Sequence, residues 1–340
     1  MDVLGILNTI RANASATYQS RIPEATRNNM EEIRYAMIDG DNIQVANEFV
    51  NTLLNKVVKT QLISKIFKNP LKSLKKGKKP LGDTVEEIYT NFIKAKQYDA
   101  TGAELLTRSL PDVKTLYHRM NLQLQYPISI SREQLYKAFV SVDTLEKFIS
   151  DIINSLYNSA ELDEFINTKQ LFKSAIEKNA MKVVEVADPL TSAENAKEFI
   201  KAIKTVSGLM MFPSEAHNGY LTAQSTDTNP LTTFSRKDEQ VLIIDTATDT
   251  TVSVDVLASI FNMSVAEFND TKKIVIDVFP DANIRAVLID EQFAQIFDDL
   301  IAITKFENGA GLYDNYYLNV WQTMAYSILV NAVAFKVKTA

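Results

Sequence analysis

The sequence predicts an α+β protein, and three observations support this fold class. Residues 141–179 repeat apolar side chains every three or four positions without Gly or Pro, which predicts one long amphipathic spine helix. Residues 116–130 carry most of their large apolar side chains at even positions, the period of a β-strand. Between residues 240 and 297, short apolar runs with strand character alternate with helical patterns, which is typical of a mixed α/β lobe.

Composition places the chain among folded proteins without disulfides. Its 340 residues are 46% apolar and 23% charged, which is enough to bury a large core. The absence of Cys excludes disulfides, thiolate metal sites and thiol nucleophiles, and it fits a reducing cytoplasm. No window of about 18 apolar residues predicts a membrane span, and the first residues lack the order of a signal peptide.

The charge is unevenly distributed. The net charge is −6, yet nine lysines and no acid lie between Leu54 and Pro80. This basic segment predicts a contact with phosphate or with an acidic neighbour, and a solvated loop is the alternative. Phe67 is its only aromatic residue, so base stacking is not indicated. The candidate contact residues are Lys65, Lys68, Lys72, Lys75, Lys76, Lys78 and Lys79.

The first 130 residues predict an arm followed by a hairpin. Residues 1–80 have helical periodicity in pieces, notably 28–37 and 43–67, and we expect a loosely held arm. The polar stretch 72–80 is not expected to pack by itself. Residues 84–96 fit a helix and a strand equally well by periodicity. Paired with 116–130, they would form the two arms of a long hairpin.

The remaining chain predicts further elements in order. Ser131 and Gln134 form a capping box that opens a short helix to Val140, just before the spine helix. Asn308-Gly309 is a strong hairpin signal, and the C-terminal sheet around it is the candidate partner of the spine helix. The other predicted strands are 182–186, 240–245, 273–279, 286–290, 301–306 and a nearly continuous 313–335, and the other predicted helices are 191–207, 254–262 and 291–297.

Motifs for catalysis or ligand binding are missing. His118 lies in the alternating strand, which favours a sheet residue over a ligand. His217 lies in a polar loop with no second His or Cys at metal-ligand spacing. Neither a Walker A sequence nor a G-x-S-x-G or H-E-x-x-H motif occurs. The sequence therefore predicts no catalytic, cofactor or metal site, and a protein that is not an enzyme.

An ordered set of segments resembles the major capsid protein of the phi-29 group of short-tailed phages. The similarity runs in the same order from about residue 20 to 335, so it is specific although no single segment is diagnostic. The segments are Asn69-Pro70-Leu71-Lys72, 84–90 (TVEEIYT), 96–100 (KQYDA), 111–116 (PDVKTL), 152–161 (IINSLYNSAE), 254–258 (VDVLA), 320–323 (VWQT) and 331–335 (NAVAF).

The resemblance implies the HK-97-type capsid fold, which assigns each region a place. Residues 1–80 become the N-terminal arm with the basic segment, and 81–130 the extended hairpin called the E-loop, with a strand at 84–96. Residues 131–188 and 298–340 become the peripheral domain, and 189–297 the axial domain. Because the sequence ends five residues after Phe335, we expect no C-terminal immunoglobulin-like domain. No Lys–Asn cross-link is expected.

In function, the resemblance implies a major capsid protein that self-assembles as hexamers and pentamers into an icosahedral head around double-stranded DNA. A hairpin with exposed apolar residues needs a neighbouring subunit to cover them. Packaged DNA would be bound by non-specific electrostatics, and scaffolding and portal proteins are further expected partners. The chain would be made and assembled in the bacterial host cytoplasm and end in the virion, with no membrane. An encapsulin-like compartment shell and a soluble α/β enzyme are the alternatives. The expected inter-subunit residues are Ile88, Tyr89, Phe92, Leu116, Tyr117, Met120 and Leu122.

Overall fold

Helices and strands both contribute to the structure, a computed structural model. It describes residues 3–38, 43–59, 67–79, 84–98, 100–102, 107–140, 142–223, 229–259 and 272–338. Within these ranges the α-helices are α1 (Val3–Asn13), α2 (Ala16–Arg21), α3 (Met30–Ile38), α4 (Ile43–Lys59), α5 (Arg132–Ala138), α6 (Val142–Glu177), α7 (Ala193–Leu209), α8 (Tyr220–Ala223) and α9 (Thr246–Ser259). The strands are β1 (Lys75–Lys78), β2 (Thr84–Thr90), β3 (Val113–Arg119), β4 (Leu122–Ser131), β5 (Lys182–Val186), β6 (Gln240–Asp245), β7 (Lys272–Ile276), β8 (Ile284–Asp290), β9 (Ala294–Asn308), β10 (Tyr313–Tyr326) and β11 (Ala332–Val337).

The chain divides into two compact units. Unit 1 contains Met1–Asn69, Gln123–Glu164 and Asp299–Trp321. Unit 2 contains Pro70–Leu122, Phe165–Asp298 and Gln322–Ala340. The boundary falls inside α6, β9 and β10, so each of these elements is described in two parts. The two units do not coincide with the predicted arm, hairpin, peripheral domain and axial domain. The boundaries of those four predicted regions stay a prediction.

The core of unit 1 is built by the N-terminal helices. Ile10, Ile33 and Phe49 on α1, α3 and α4 are fully buried, in one cluster with Leu145 and Ile149 of α6. The expectation of a loosely held arm was therefore wrong for the described part of residues 1–80. The physical reason is that each of these helices has an apolar stripe, and the stripes cover one another and the first half of α6.

Strands β9, β10 and β4 lie side by side in unit 1, and the first half of α6 packs against them. Tyr316 and Leu318 of β10 share the helix cluster, and the hydroxyl of Tyr126 donates to Asp163 of α6 at 2.9 Å. Burial of the Tyr126 ring and this bond to a carboxylate raise the pKa of Tyr126. The predicted packing of the spine helix on the C-terminal sheet is confirmed.

Unit 2 is built on a five-stranded sheet with helices on both faces. The order is β5-β11-β8-β6-β7, in which β8 pairs antiparallel with β11 and β6, and the outer strands pair parallel. Alternate residues point to opposite faces. Val287 and Ile289 face the cluster that contains Phe172 of α6, whereas Ala286 and Leu288 face the cluster of α7 and α9.

Three predicted elements of unit 2 differ in the structure. Residues 291–297 form a turn and the start of β9, not a helix, because the apolar run is covered on both faces, as in a buried strand. The predicted continuous strand 313–335 breaks between Tyr326 and Ala332, where Ser327 accepts a hydrogen bond from the Leu329 amide. Helix α9 begins at Thr246 rather than Val254, because the Asp245 carboxylate caps it through the Thr248 amide.

The segment after Asn69 packs, contrary to the expectation for residues 72–80. A 3₁₀-helix at Pro70–Leu74 buries Leu71 and Leu74 in the core of unit 2. Strand β1 then pairs parallel with the first part of β9. Main-chain pairing needs no apolar side chains, which is why the sequence pattern gave no sign of it. Residues 60–66 of the predicted helix 43–67 lie outside the described residues, and Phe67 is not helical.

Candidate functional site

The predicted hairpin is present only in part, as the antiparallel pair of β2 and β3. Strand β2 ends at Thr90 rather than at residue 96, and residues 122–130, predicted as part of the second arm, belong to β4, which lies next to β10 in a different sheet. Val85 pairs with His118, Glu87 with Leu116, and Tyr89 with Lys114. Since paired residues in a two-stranded ribbon share a face, the hairpin presents two different surfaces. One surface lies on the body of unit 2, and the other is exposed.

The exposed surface carries apolar and aromatic side chains. Ile88 is 60% exposed and Tyr117 is 62% exposed, and Phe92, just beyond β2, is 52% exposed. The Tyr117 hydroxyl donates to the carboxylate of Glu86 at 2.9 Å, and this bond raises the pKa of Tyr117. Large apolar groups grouped on one face mark a contact surface better than scattered ones do.

The opposite surface packs on the same subunit. Tyr89 and Leu116 lie against the core of unit 2, as does Leu122 at the start of β4. Lys114 is buried, with its Nζ 3.0 Å from the Asp112 carboxylate and above the ring of Tyr220. Half of the hairpin therefore finds burial within its own chain.

Polar contacts hold this inward surface in place. The Glu87 carboxylate lies 3.0 Å from Nε2 of His118 and accepts a hydrogen bond from the Ser327 hydroxyl at 2.5 Å. The Tyr89 hydroxyl donates to the carbonyl of Thr232 at 2.9 Å. Beyond the end of β2, Asn91 donates to the carbonyl of Pro230 at 2.9 Å and accepts from the Thr232 amide at 3.2 Å.

Five of the seven predicted inter-subunit residues lie in or next to β2 and β3 and are divided between the two surfaces, whereas Met120 follows β3 and Leu122 begins β4. Ile88, Phe92 and Tyr117 are exposed, and the others are half-buried. Whether they contact a neighbour stays a prediction. Sequence reasoning did not single out Glu87 or Asn91. The available signal was the period of two, which places Glu87 on the same side as Tyr89 rather than Ile88.

The basic segment is also divided. Lys75 is half-buried and its Nζ lies 2.8 Å from the Asp298 carboxylate, and Lys76 donates to the Glu291 carbonyl at 2.8 Å and to Gln292 at 3.1 Å. Lys79 is half-buried, whereas Lys68, Lys72 and Lys78 are exposed. Lys65 lies outside the described residues. Contact with an external anion stays a prediction, and exposure favours Lys68, Lys72 and Lys78 for it.

The two histidines have different surroundings. His118 contacts Glu87, as a sheet residue would, and burial lowers the pKa of His217. Among the described residues, no group of three or more His, Cys, Asp or Glu side chains converges in a way that could hold a metal ion. No helix in the same ranges combines the length and apolarity needed to cross a bilayer.

Comparison with known proteins identifies the family. A family model described as the Phi29-like phage major capsid protein matches residues 7–336. The chain belongs to this family. As a member of the Phi29-like family it is a major capsid protein of a tailed phage, a structural component of a multi-copy head shell. The encapsulin-like and enzyme alternatives are thereby set aside.

Sequence relatives of the Phi29-like family support the assignment over nearly the whole chain. The major capsid protein of Bacillus phage PZA is 36% identical over 332 residues, which cover 97% of this chain and 72% of the relative. The major capsid protein of Streptococcus phage Cp-1 is 27% identical over 291 residues, 81% of this chain and 76% of the relative. These relatives are structural proteins, which supports a non-enzymatic function.

Solved structures show the fold. The capsid structure of Staphylococcus phage Andhra is similar with a TM-score of 0.63 at 13% identity, covering 82% of this chain and 87% of that one. The mature capsid of bacteriophage PhiM1 gives a TM-score of 0.54 at 12% identity, covering 83% and 90%. The predicted HK-97-type capsid fold is confirmed.

Proposed function

We propose that this capsid protein tiles an icosahedral head as hexamers and pentamers, and that the exposed surface of the β2–β3 hairpin contacts the neighbouring subunit. The observation that carries the proposal is the exposure of Ile88 and Tyr117 on one side of the hairpin. A two-stranded ribbon with one apolar side in water is costly, and burial against another copy removes that cost. Repeated contacts of this head-to-tail kind close into rings when the rotation permits.

A charge placed on this surface tests the proposal. We expect Ile88→Asp to abolish closed particles in negative-stain electron microscopy, because assembly would bury the new carboxylate without a partner. Its matched control is Phe212→Asp, which adds the same charge at a residue that is 67% exposed and outside the hairpin. Both variants should keep the thermal unfolding midpoint of the parent.

Particle formation by the two variants decides whether the hairpin surface is the contact. Particles from the control and none from Ile88→Asp support the hairpin surface as the contact. Normal particles from Ile88→Asp overturn it. Equal loss in both variants also counts against it, because the effect would then not be specific to the hairpin.

Packaged double-stranded DNA is the second proposed partner, bound through Lys68, Lys72 and Lys78. These exposed lysines belong to the basic segment, which has nine lysines and no acidic residue. Such a patch binds DNA phosphates whatever the base sequence. We expect the Lys68→Glu, Lys72→Glu, Lys78→Glu variant to retain less DNA per particle. The control carries the same charge reversal, Lys to Glu, at Lys197, Lys201 and Lys204 of α7. Equal DNA content in both would contradict this role.

Scaffolding and portal proteins complete the proposed set of partners, with assembly in the host cytoplasm before the protein enters the virion. Membership of the Phi29-like family supports this part of the proposal. The test is expression of the chain alone and together with the other head genes of its phage. Regular closed heads from the chain alone would remove scaffolding protein from the set.

A further inference from the structure

We propose that Glu87 is a positioning residue: it fastens the hairpin to its own subunit before assembly, so that the exposed surface is presented in one fixed direction. This inference rests on the proposed function of the hairpin surface. It adds that the hairpin is a preset part of the free subunit and does not acquire its place only on contact with a neighbour.

Glu87 lies where both hairpin strands and the C-terminal segment meet. Its two carboxylate oxygens are used separately: one faces Nε2 of His118 on β3, and the other accepts from Ser327. Its side chain is 17% exposed, that of His118 is 8% exposed, and Ser327 is fully buried. Hydrogen bonds to a carboxylate shielded from water are among the stronger ones in proteins.

The contacts beyond β2 reach a loop that is itself anchored. Residues 230–232 accept from Tyr89 and Asn91 and donate to Asn91. The next residue, Thr233, is buried and donates to the side chain of Asn331 at 2.5 Å. Ser235 donates to the buried carboxyl of Asp290 at 2.5 Å. The hairpin is therefore attached to hydrogen-bonded parts of unit 2 at two places, near Ser327 and near Thr232.

The residues that attach the hairpin and the residues that are exposed lie on opposite surfaces. Glu87 and Tyr89 point inward, whereas Glu86 and Ile88, their neighbours in sequence, point outward. Attachment through Glu87 thus leaves Ile88 and Tyr117 exposed, whereas Phe92 contacts the ring of Phe234 in the same loop, with centroids 6.3 Å apart. A segment fixed in its binding position before contact loses less conformational entropy on association, which favours assembly at lower concentration.

The attachment can be tested in the unassembled subunit by hydrogen exchange. The amide of Thr232 donates to Asn91, a hairpin residue, so its exchange rate reports whether the hairpin is docked. We expect Glu87→Gln to speed exchange in the 229–234 segment about tenfold, since the carboxylate that faces both His118 and Ser327 becomes a neutral amide with one acceptor oxygen. Glu86→Gln is the matched control, because it removes the same charge from the opposite surface and should leave that segment unchanged.

A second pair of variants connects docking with assembly. Ser327→Ala removes the same hydrogen bond from the body side, without any change in the hairpin. If Glu87 acts by positioning, Ser327→Ala and Glu87→Gln each raise the critical concentration for assembly several-fold, and the double variant is no worse than Glu87→Gln alone. An additive double variant would mean that the two residues act separately.

Failure of the inference differs from failure of the proposed function. If Glu87→Gln exchanges at the parent rate in residues 229–234, or assembles at the parent concentration, Glu87 is not a positioning residue. The hairpin surface could still be the contact, as Ile88→Asp would show. If Ile88→Asp assembles normally, the proposed contact of the hairpin surface is wrong. The hydrogen-exchange measurement still shows whether the hairpin is docked on its own subunit.

Discussion

The ring of Phe172 stacks on that of Phe293, with centroids 6.5 Å apart and planes inclined by 15°. Phe172 belongs to the second half of α6, and Phe293 lies in the turn before β9, where it also stacks on Tyr326 at 5.9 Å. Both phenylalanines are fully buried. This stack joins the spine helix to the sheet elements of unit 2. Its loss should therefore lower the stability of the whole unit.

We expect Phe293→Ala to lower the free energy of unfolding of unit 2 by about 3–5 kcal/mol, the usual cost of a large cavity in a packed core. Chemical denaturation followed by circular dichroism measures this difference. Phe212→Ala is the control, because Phe212 is mostly exposed and should change stability by less than about 0.5 kcal/mol. Similar effects in both variants would contradict a specific role for the stack.

Two glycines of unit 2 should respond to alanine in opposite directions. A Cβ at Gly219 would overlap the backbone carbonyl of Ala180, which cannot move aside easily. A Cβ at Gly208, near the end of α7, would meet no atom within 4 Å. We therefore expect Gly219→Ala to lower the thermal midpoint clearly. Gly208→Ala should raise stability by about 0.5–1 kcal/mol, because alanine restricts the unfolded chain. The same sign in both variants would refute this explanation.

The capping box of α5 offers a test in unit 1. The Ser131 hydroxyl accepts from the Gln134 amide at 3.1 Å, and the Gln134 side chain accepts from the Ser131 amide at 2.9 Å. Ser131→Ala should cost about 1 kcal/mol in unfolding free energy. Ser131→Asp keeps an acceptor at the same place and should restore most of the loss. If aspartate is no better than alanine, the cap is not what stabilises this end of α5.

Elements with a strong period could be predicted from the sequence. The spine helix is present as Val142–Glu177, and the strands Lys182–Val186 and Gln240–Asp245 have the predicted bounds. These segments bury a defined face, so their apolar period is dictated by the fold. The short run at 291–297 was misassigned, because a strand covered on both faces and a buried helical turn have the same composition.

The candidate site was only partly predictable for a different reason. Periodicity shows that Ile88 and Tyr89 point to opposite sides, but it does not show which side meets the body of the subunit. That depends on residues far away in sequence, such as Thr232 and Ser327, which meet the hairpin only after folding. Likewise, the contacts of Lys75 and Lys76 with residues 291–298 follow from the pairing of β1 with β9, which no local pattern indicates.

Acid should weaken unit 2 through two ion pairs. Partial burial raises the pKa of Asp277, but the hydrogen bonds from Lys169 at 2.8 and 3.0 Å outweigh it, so the pKa lies below its ordinary 3.8. At Asp281, burial is likewise outweighed by the bonds from the Asn283 amide and Lys336, and its pKa is also lowered. A carboxyl whose pKa is lowered on folding stabilises the protein above its unfolded value, and this contribution is lost as pH falls through the folded value.

Thermal unfolding at pH 6 and pH 3 measures the contribution. We expect the thermal midpoint to fall further between pH 6 and pH 3 in the parent than in the Asp277→Asn, Asp281→Asn variant. The variant has no carboxylates to protonate at these positions. The difference should be modest and should shrink in high salt, since the Asp277 side chain is 58% exposed. The Glu194→Gln, Glu198→Gln variant of α7 removes the same charge and should keep the acid sensitivity of the parent. Equal acid sensitivity in the parent and the aspartate variant would show that these two pairs do not govern acid stability.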